Sequence, residues 1–186
     1  LVMKFGIIGL GRIGGSLSLQ AMKKGHQVVG YSKSDEELNN LKAKGLVPAD
    51  SVQSLVEELD SPRIVFLYIP HGNPVEDVCK ELKQHLEIGD ILIDGGNSHW
   101  NDSICRYEEF REQGIHFLDC GTSGGVEGAI SGACFMVGGF VFVVSSRNLC
   151  TPSGTIDFSK VLQWFWAMLY GRGVCLCCFL QKLMHP

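Results

Sequence analysis

Glycine-rich turns follow apolar, strand-like runs at three places in this sequence. They are Gly9-Leu10-Gly11-Arg12-Ile13-Gly14, Asp94-Gly95-Gly96-Asn97-Ser98 and Gly121-Thr122-Ser123-Gly124-Gly125. Glycine lets backbone N–H groups come close to a ligand. In an open parallel sheet, the turns that leave the carboxyl ends of the strands gather at one edge, where ligands bind. The three turns therefore predict one site, in which the first turn binds phosphate and the other two bind substrate.

The first turn has the spacing Gly-x-Gly-x-x-Gly between an apolar run at 4–8 and apolar residues at helical intervals. In a βαβ unit this spacing permits a tight turn, close approach of a pyrophosphate and close packing of helix on strand. The positive end of the helix then faces the phosphates. We predict that residues 9–14 bind a dinucleotide. The alternative is that these glycines serve packing alone.

The end of the second predicted strand, at 27–31, bears on the choice between NAD and NADP. An acidic residue there accepts from the ribose 2′-hydroxyl of NAD and repels the 2′-phosphate of NADP. The residues are Ser32, Lys33 and Ser34, with no acid before Asp35. A charge-assisted contact from Lys33 favours NADP as the cofactor. NAD is the alternative, since Lys33 can equally be a solvated loop charge.

Strand-like and helix-like segments alternate through the first 139 residues. Apolar runs predict strands at 4–8, 27–31, 64–69, 91–93 and 115–118; helical spacing and end signals predict helices after residue 14, at 34–44 and 51–59, from 73, and at 100–113. The run at 64–69 is apolar throughout, as in a parallel strand covered on both faces. We predict an α/β fold of the Rossmann type over residues 1–139, doubly wound around a mostly parallel sheet.

Charge and cysteine content limit the classes of partner and compartment. Twenty acidic and 16 basic residues give a net charge of −4 without a basic run, so no nucleic-acid partner is expected. The first residues lack the pattern of a secretory signal. Four of the eight cysteines stand singly within apolar segments. We predict reduced thiols and a cytoplasmic location.

Residues 140–186 differ in composition from the residues before them. They contain five charged residues among 47, against 31 among the first 139. The run 175–178 lacks the paired Cys-x-x-Cys spacing of zinc sites, so no metal is predicted. Arg172 interrupts the apolar stretch 161–180, so no membrane attachment is predicted. We interpret 140–186 as an atypical tail that arose by a frameshift or missplicing.

Four passages resemble the 6-phosphogluconate dehydrogenases, the decarboxylating oxidoreductases of the pentose phosphate pathway. In order, they are residues 5–14, 91–100, 119–125, and Gly128-Ala129 with 132–139. The most specific part is the pair Asp94-Gly95-Gly96-Asn97-Ser98 and Ser123-Gly124-Gly125. Related β-hydroxyacid dehydrogenases usually carry a Ser-Thr type turn at the first of these.

The resemblance implies a role for each of these turns. Asn97 would lie between the nicotinamide and the sugar acid. Ser123, Gly124 and Gly125 would hold oxygens of 6-phosphogluconate through a hydroxyl and backbone N–H groups. A neutral amide and exposed N–H groups suit a hydroxylated acid, because they bind it without competing for the hydride.

The resemblance also extends to the cofactor and to the assembly. The turn Ile69-Pro70-His71 would contact the cofactor. Residues 121–125, with Thr122, and residues 31–34 are similar to a shorter bacterial branch whose members often use NAD and have Asp at the position of Ser32. The family forms homodimers largely through a helical domain that follows the nucleotide domain, and no such domain is recognised in this sequence.

The family reaction oxidises the 3-hydroxyl of 6-phosphogluconate, passes hydride to the nicotinamide and releases carbon dioxide to give ribulose 5-phosphate. Its base and acid are a lysine and a glutamate in a Gly-His-x-x-Lys-Met-x-x-Asn-x-x-Glu-Tyr passage. Nothing after Gly139 matches that passage, and Lys160 lacks its flanking residues, so no catalytic residue is assigned. A positioned acid or base contributes about 10²–10⁴-fold, so we expect little or no turnover from this chain.

Two functional hypotheses remain. The first is the nucleotide-binding domain of a 6-phosphogluconate dehydrogenase, incomplete in this chain. The alternative is a non-catalytic NAD(P)-binding or interaction module, or another β-hydroxyacid dehydrogenase.

Overall fold

The computed structural model describes residues 2–138, so the tail at 140–186, with its metal and membrane predictions, lies outside the described residues. Strands and helices alternate along the described part. The strands are β1 (Lys4–Ile8), β2 (Gln27–Tyr31), β3 (Val47–Pro48), β4 (Ile64–Leu67), β5 (Ile91–Asp94), β6 (His116–Ser123) and β7 (Cys134–Gly138). The helices are α1 (Arg12–Lys23), α2 (Asp35–Lys42), α3 (Val52–Glu57), α4 (Asn73–Leu82), α5 (Trp100–Arg111) and α6 (Gly125–Ser131).

The strands form one sheet in the order β3-β2-β1-β4-β5-β6-β7. Strands β1 to β6 are parallel, and β7 runs antiparallel to β6. The chain winds outward from β1 to β3 and then returns to place β4 on the other side of β1. Such a reversal opens a crevice at the carboxyl ends of the two central strands. The predicted Rossmann-type, mostly parallel sheet is confirmed.

Apolar side chains cover both faces of the sheet, because alternate residues of a strand point to opposite sides. On β4, Ile64 and Phe66 join one buried cluster, which also contains Leu17 of α1. Val65 and Leu67 join a second cluster on the other face, which contains Phe110 of α5. This double coverage explains why the sequence of β4 is apolar without alternation.

The end of the described region differs from the sequence prediction. The third glycine-rich segment was expected to be a turn after a strand at 115–118, but β6 continues through Ser123. The antiparallel strand β7 causes the extension, since Gly121 pairs with Met136 and Ser123 pairs with Cys134. The turn itself is confined to Gly124, which has a φ of +108° and precedes α6.

Candidate functional site

A cavity of about 700 Å³ opens at the carboxyl edge of the sheet, among residues that follow β1, β2, β4 and β5 and near the end of β6. Most of the predicted cofactor residues line it. They are Gly9, Leu10, Gly11, Arg12, Ile13, Ser32, Lys33, Ser34, Ile69, Pro70 and Asn97. The predicted residues Gly14, His71, Ser123, Gly124 and Gly125 are not part of the lining. The structure thus brings the first two glycine turns together, whereas the third reaches the cavity only through Thr122.

The three glycines of the first turn have different surroundings. Gly9 has a φ of +95°, and a Cβ atom there would lie 2.4 Å from the carbonyl oxygen of Tyr68. A Cβ atom on Gly14 would lie 2.0 Å from the carbonyl oxygen of Gly9. At Gly11 the nearest atom is Glu37 Oε1, at 3.6 Å. Gly9 and Gly14 are therefore required by the fold, whereas Gly11 leaves space on the cavity side.

The start of α1 supplies the phosphate-binding chemistry of this turn. Gly11 is the N-cap residue; no side chain caps the helix, and its first turn contains no acidic residue. The first N–H groups of a helix have no carbonyl partner within it, and the helix dipole is positive at this end. A helix start of this kind suits a pyrophosphate.

The second turn is held by the carboxylate of Asp94, the last residue of β5, which is 1% exposed. Its Oδ1 accepts from the backbone N–H of Gly96 at 3.0 Å, and its Oδ2 accepts from the hydroxyl of Ser98 at 2.7 Å. These bonds fix the backbone on both sides of Asn97, whose exposed side chain lies at the cavity.

Arg106 of α5 forms a buried ion pair with Asp94. Its Nη1 donates to Asp94 Oδ2 at 3.1 Å, and its Nη2 donates to Glu76 Oε1 at 2.6 Å. Burial alone would lower the pKa of Arg106, but hydrogen bonding to Glu76 and the charges of both carboxylates outweigh burial and raise it. On the adjacent strand, burial and then the charge of Asp94 raise the pKa of Asp119.

Tyr68, which follows β4, connects the turns under the cavity. Its hydroxyl lies 3.2 Å from Thr122 Oγ1, and its ring occupies the space beside Gly95, where a Cβ atom would meet Cζ at 2.5 Å. Burial raises the pKa of Tyr68 above its ordinary value of 10.0, so the phenol stays neutral at physiological pH. Sequence reasoning missed Tyr68, because it extended the apolar strand through this position.

Glu37 is a second cavity residue that sequence reasoning missed. Ser34-Asp35-Glu36-Glu37 has the residue pattern of a capping box, and Ser34 Oγ accepts from the backbone N–H of Glu37 at 3.4 Å. The Glu37 carboxylate, however, accepts from the hydroxyl of Ser32 at 2.9 Å instead of returning to the backbone of Ser34. The capping pattern singles out Glu37 in the sequence. It predicts, however, that the carboxylate turns back to the backbone of Ser34, so it did not indicate a position at the cavity.

Other classes of site are not found in the part of the chain that the structure describes. Within residues 2–138 there is no group of three or more His, Cys, Asp or Glu residues arranged to hold a metal ion. No helix among these residues is both long enough and apolar enough to span a bilayer.

Comparison with known proteins identifies the family. Residues 4–145 match the family model described as the NAD binding domain of 6-phosphogluconate dehydrogenase. The decarboxylating 6-phosphogluconate dehydrogenase 2 of Saccharomyces cerevisiae is 43% identical over 139 residues, covering 72% of this chain and 28% of that protein. The NAD(+)-dependent, decarboxylating enzyme of Bacillus subtilis is 40% identical over 138 residues, covering 72% and 30%.

A solved structure gives the same assignment. The 6-phosphogluconate dehydrogenase of Plasmodium falciparum, studied in its apo form and with NADP+ or 6-phosphogluconate, superimposes with a TM-score of 0.70 at 33% identity. The match covers 73% of this chain and 30% of that chain. This chain spans less than half the length of the curated relatives it matches. It belongs to the family of the NAD-binding domain of 6-phosphogluconate dehydrogenase.

Proposed function

We propose that this chain binds a nicotinamide dinucleotide in the cavity at the carboxyl edge of its sheet, as the nucleotide-binding part of a 6-phosphogluconate dehydrogenase. The observation that carries the proposal is the convergence of the α1 start and the second glycine turn on one 700 Å³ space. The N–H groups at Gly11 and Arg12 bind the pyrophosphate, and Ser32, Lys33 and Ser34 face the adenosine ribose.

The nicotinamide end of the cofactor lies near Asn97 in this proposal. Asn97 follows β5, whereas Ser123 ends the neighbouring strand β6, and Gly124 and Gly125 lie between that strand and the body of α6. Substrate oxygens of 6-phosphogluconate bind between these two strand ends, next to the cavity. Support comes from Gly124 and Gly125, which are exposed and have φ values of +108° and +58°, a backbone conformation that a residue with a side chain rarely adopts.

A substitution at Gly11 tests the cofactor site. Gly11→Val adds methyl groups on the cavity side, where Glu37 Oε1 is the one atom of residues 2–138 within 4 Å of the new Cβ. The backbone there is extended, with φ −64° and ψ −162°. We expect binding of NADH or NADPH, followed by nucleotide fluorescence, to weaken at least about tenfold, or about 1.4 kcal/mol. Ala43→Val, on an exposed helix end outside the cavity, is the matched control. Equal affinities of the two variants would contradict the proposed site.

The substrate part of the proposal has its own test. Asn97→Ala should weaken 6-phosphogluconate binding, measured by calorimetry with the nucleotide present, while Asn101→Ala, an exposed position on α5, should not. Equal binding by both variants would remove Asn97 from the substrate site.

The proposal also covers the catalytic activity, the oligomeric state and the cellular location of the chain. The oxidative decarboxylation of 6-phosphogluconate is the activity of the family, but no residue of this chain is assigned as its base or acid. We therefore expect no reduction of NAD or NADP at 340 nm when the chain is supplied with 6-phosphogluconate; clear turnover would contradict this. A homodimer would be detected by sedimentation, and cell fractionation would test a cytoplasmic location.

A further inference from the structure

We propose that Glu37 makes this site selective for NAD over NADP, by accepting a hydrogen bond from the 2′-hydroxyl of the adenosine ribose. This inference rests on the dinucleotide site of the proposed function. It also reverses the preference that Lys33 suggested from the sequence.

Glu37 lies in the cavity, beside the residues that follow β2. Its side chain is part of the cavity lining together with Ser32, Lys33 and Ser34. Its Oε1 lies 3.6 Å from the Cβ position of Gly11, so the carboxylate stands beside the phosphate-binding turn. In a Rossmann fold the adenosine ribose lies between that turn and the end of the second strand. Glu37 thus reaches, from the first turn of α2, the place where an acid at the end of β2 would act.

The carboxylate is held in this orientation by its neighbours. Ser32 Oγ donates to Glu37 Oε2 at 2.9 Å and accepts from the backbone N–H of Ser34 at 3.2 Å. The helix cap from Ser34 fixes the backbone of Glu37 at the same time. Among the described residues no donor is assigned to Oε1, which leaves this oxygen as an acceptor for a ligand hydroxyl.

The charges around this point disfavour a 2′-phosphate. A phosphate monoester carries about −1.5 to −2 charges at neutral pH and would stand next to the Glu37 carboxylate. Lys33 is exposed, and no ion pair joins it to Glu37 within the described region. Its attraction for a phosphate is therefore weakened by solvent, whereas the half-buried carboxylate is close to the turn. We expect NADH to bind about 10- to 100-fold more tightly than NADPH.

The test compares two neighbouring glutamates with the same change of charge. NADH and NADPH are titrated by fluorescence into the full chain, its Glu37→Gln variant and its Glu36→Gln variant. Glu36 is exposed and is not part of the cavity lining, so it controls for overall charge. Adenosine 5′-monophosphate and adenosine 2′,5′-bisphosphate, used as competitors, repeat the comparison without the nicotinamide half. Circular dichroism checks that each variant is folded.

The proposal predicts that Glu37→Gln weakens NADH binding, strengthens NADPH binding and brings their affinity ratio close to one, while Glu36→Gln leaves the ratio unchanged. An unchanged ratio in Glu37→Gln, an equal shift in Glu36→Gln, or tighter binding of NADPH by the unmodified chain would overturn it. A fall in NADPH affinity in Lys33→Ala, with no change of the ratio in Glu37→Gln, would assign selectivity to the lysine and overturn the proposal. If neither nucleotide binds at millimolar concentration, the proposed function itself fails, and this inference fails with it.

Discussion

Replacing Arg106 by methionine removes the only cation that the described residues place against the buried carboxylate of Asp94. Methionine has a similar length and an apolar side chain, so the change isolates the charge. Arg106 is 2% exposed and Asp94 is 1% exposed, so the remaining carboxylate would stay in a poorly solvated place. Breaking a buried ion pair from one side costs about 3–5 kcal/mol.

The second partner of Arg106 adds little to this cost. The side chain of Glu76 is 41% exposed, so water solvates it once the guanidinium is gone. We therefore expect Arg106→Met to lower the free energy of unfolding by about 3–5 kcal/mol, which lowers Tm by on the order of 10–20 °C in a domain of this size. Urea unfolding, followed by far-ultraviolet circular dichroism, measures the difference. Arg111→Met, whose ion pair with Glu108 is exposed, should change stability little.

A double-mutant cycle separates the ion pair from lost packing. Asp94→Asn keeps the shape of the side chain and removes its charge, so the double variant contains neither member of the pair. We expect the double variant to be more stable than the sum of the two single effects predicts, by about 1–3 kcal/mol. Strict additivity would refute the view that Arg106 acts through Asp94.

Further predictions concern tyrosine, cysteine and glycine. Because burial raises the pKa of Tyr68 in the folded state, its contribution to stability should be present below pH about 10 and decline at higher pH. Tyr68→Phe should therefore flatten the fall in urea stability between pH 9 and 11, and should cost about 1 kcal/mol at pH 7 through loss of the bond to Thr122; a parallel pH profile would contradict this. Burial raises the pKa of the Cys79 thiol to about 12, so maleimide at pH 8, mapped by mass spectrometry, should label exposed Cys105 and leave Cys79 unlabelled until urea is added. Equal labelling would show that α4 opens. Gly14→Ala should prevent stable folding, since its Cβ atom would lie 2.0 Å from a backbone oxygen; a native-like melting curve would refute that contact.

Most of the fold could be predicted from the sequence, because the strand and helix signals are strong and local. The apolar runs that became β1, β2, β4 and β5 lie within one or two residues of their predicted ends. The two-residue strand β3 is too short to give a periodic pattern. The extension of β6 depends on pairing with β7, a nonlocal contact that periodicity cannot reveal.

The sequence predicted the glycine turns that form the site better than it predicted the side chains that line it. Glycine turns have a local signature, and the first two do converge on one cavity. Glu37 was not predicted, because its orientation depends on a hydrogen bond to Ser32, five residues earlier. Tyr68 was missed for a related reason, since its partner Thr122 is 54 residues away in the chain. The assignment of individual site residues remains a prediction, for which ligand titrations are the direct test.

Tyr68 packs against two of the glycine-rich turns that form the site. Its ring fills the space beside Gly95, and its backbone carbonyl lies close to Gly9, so one residue packs against both turns. A substitution that moves the backbone or the ring of Tyr68 would therefore disturb both turns at once. The exposed side chains of Arg12 and Lys33, on the rim of the cavity, can be changed without altering these contacts of Tyr68.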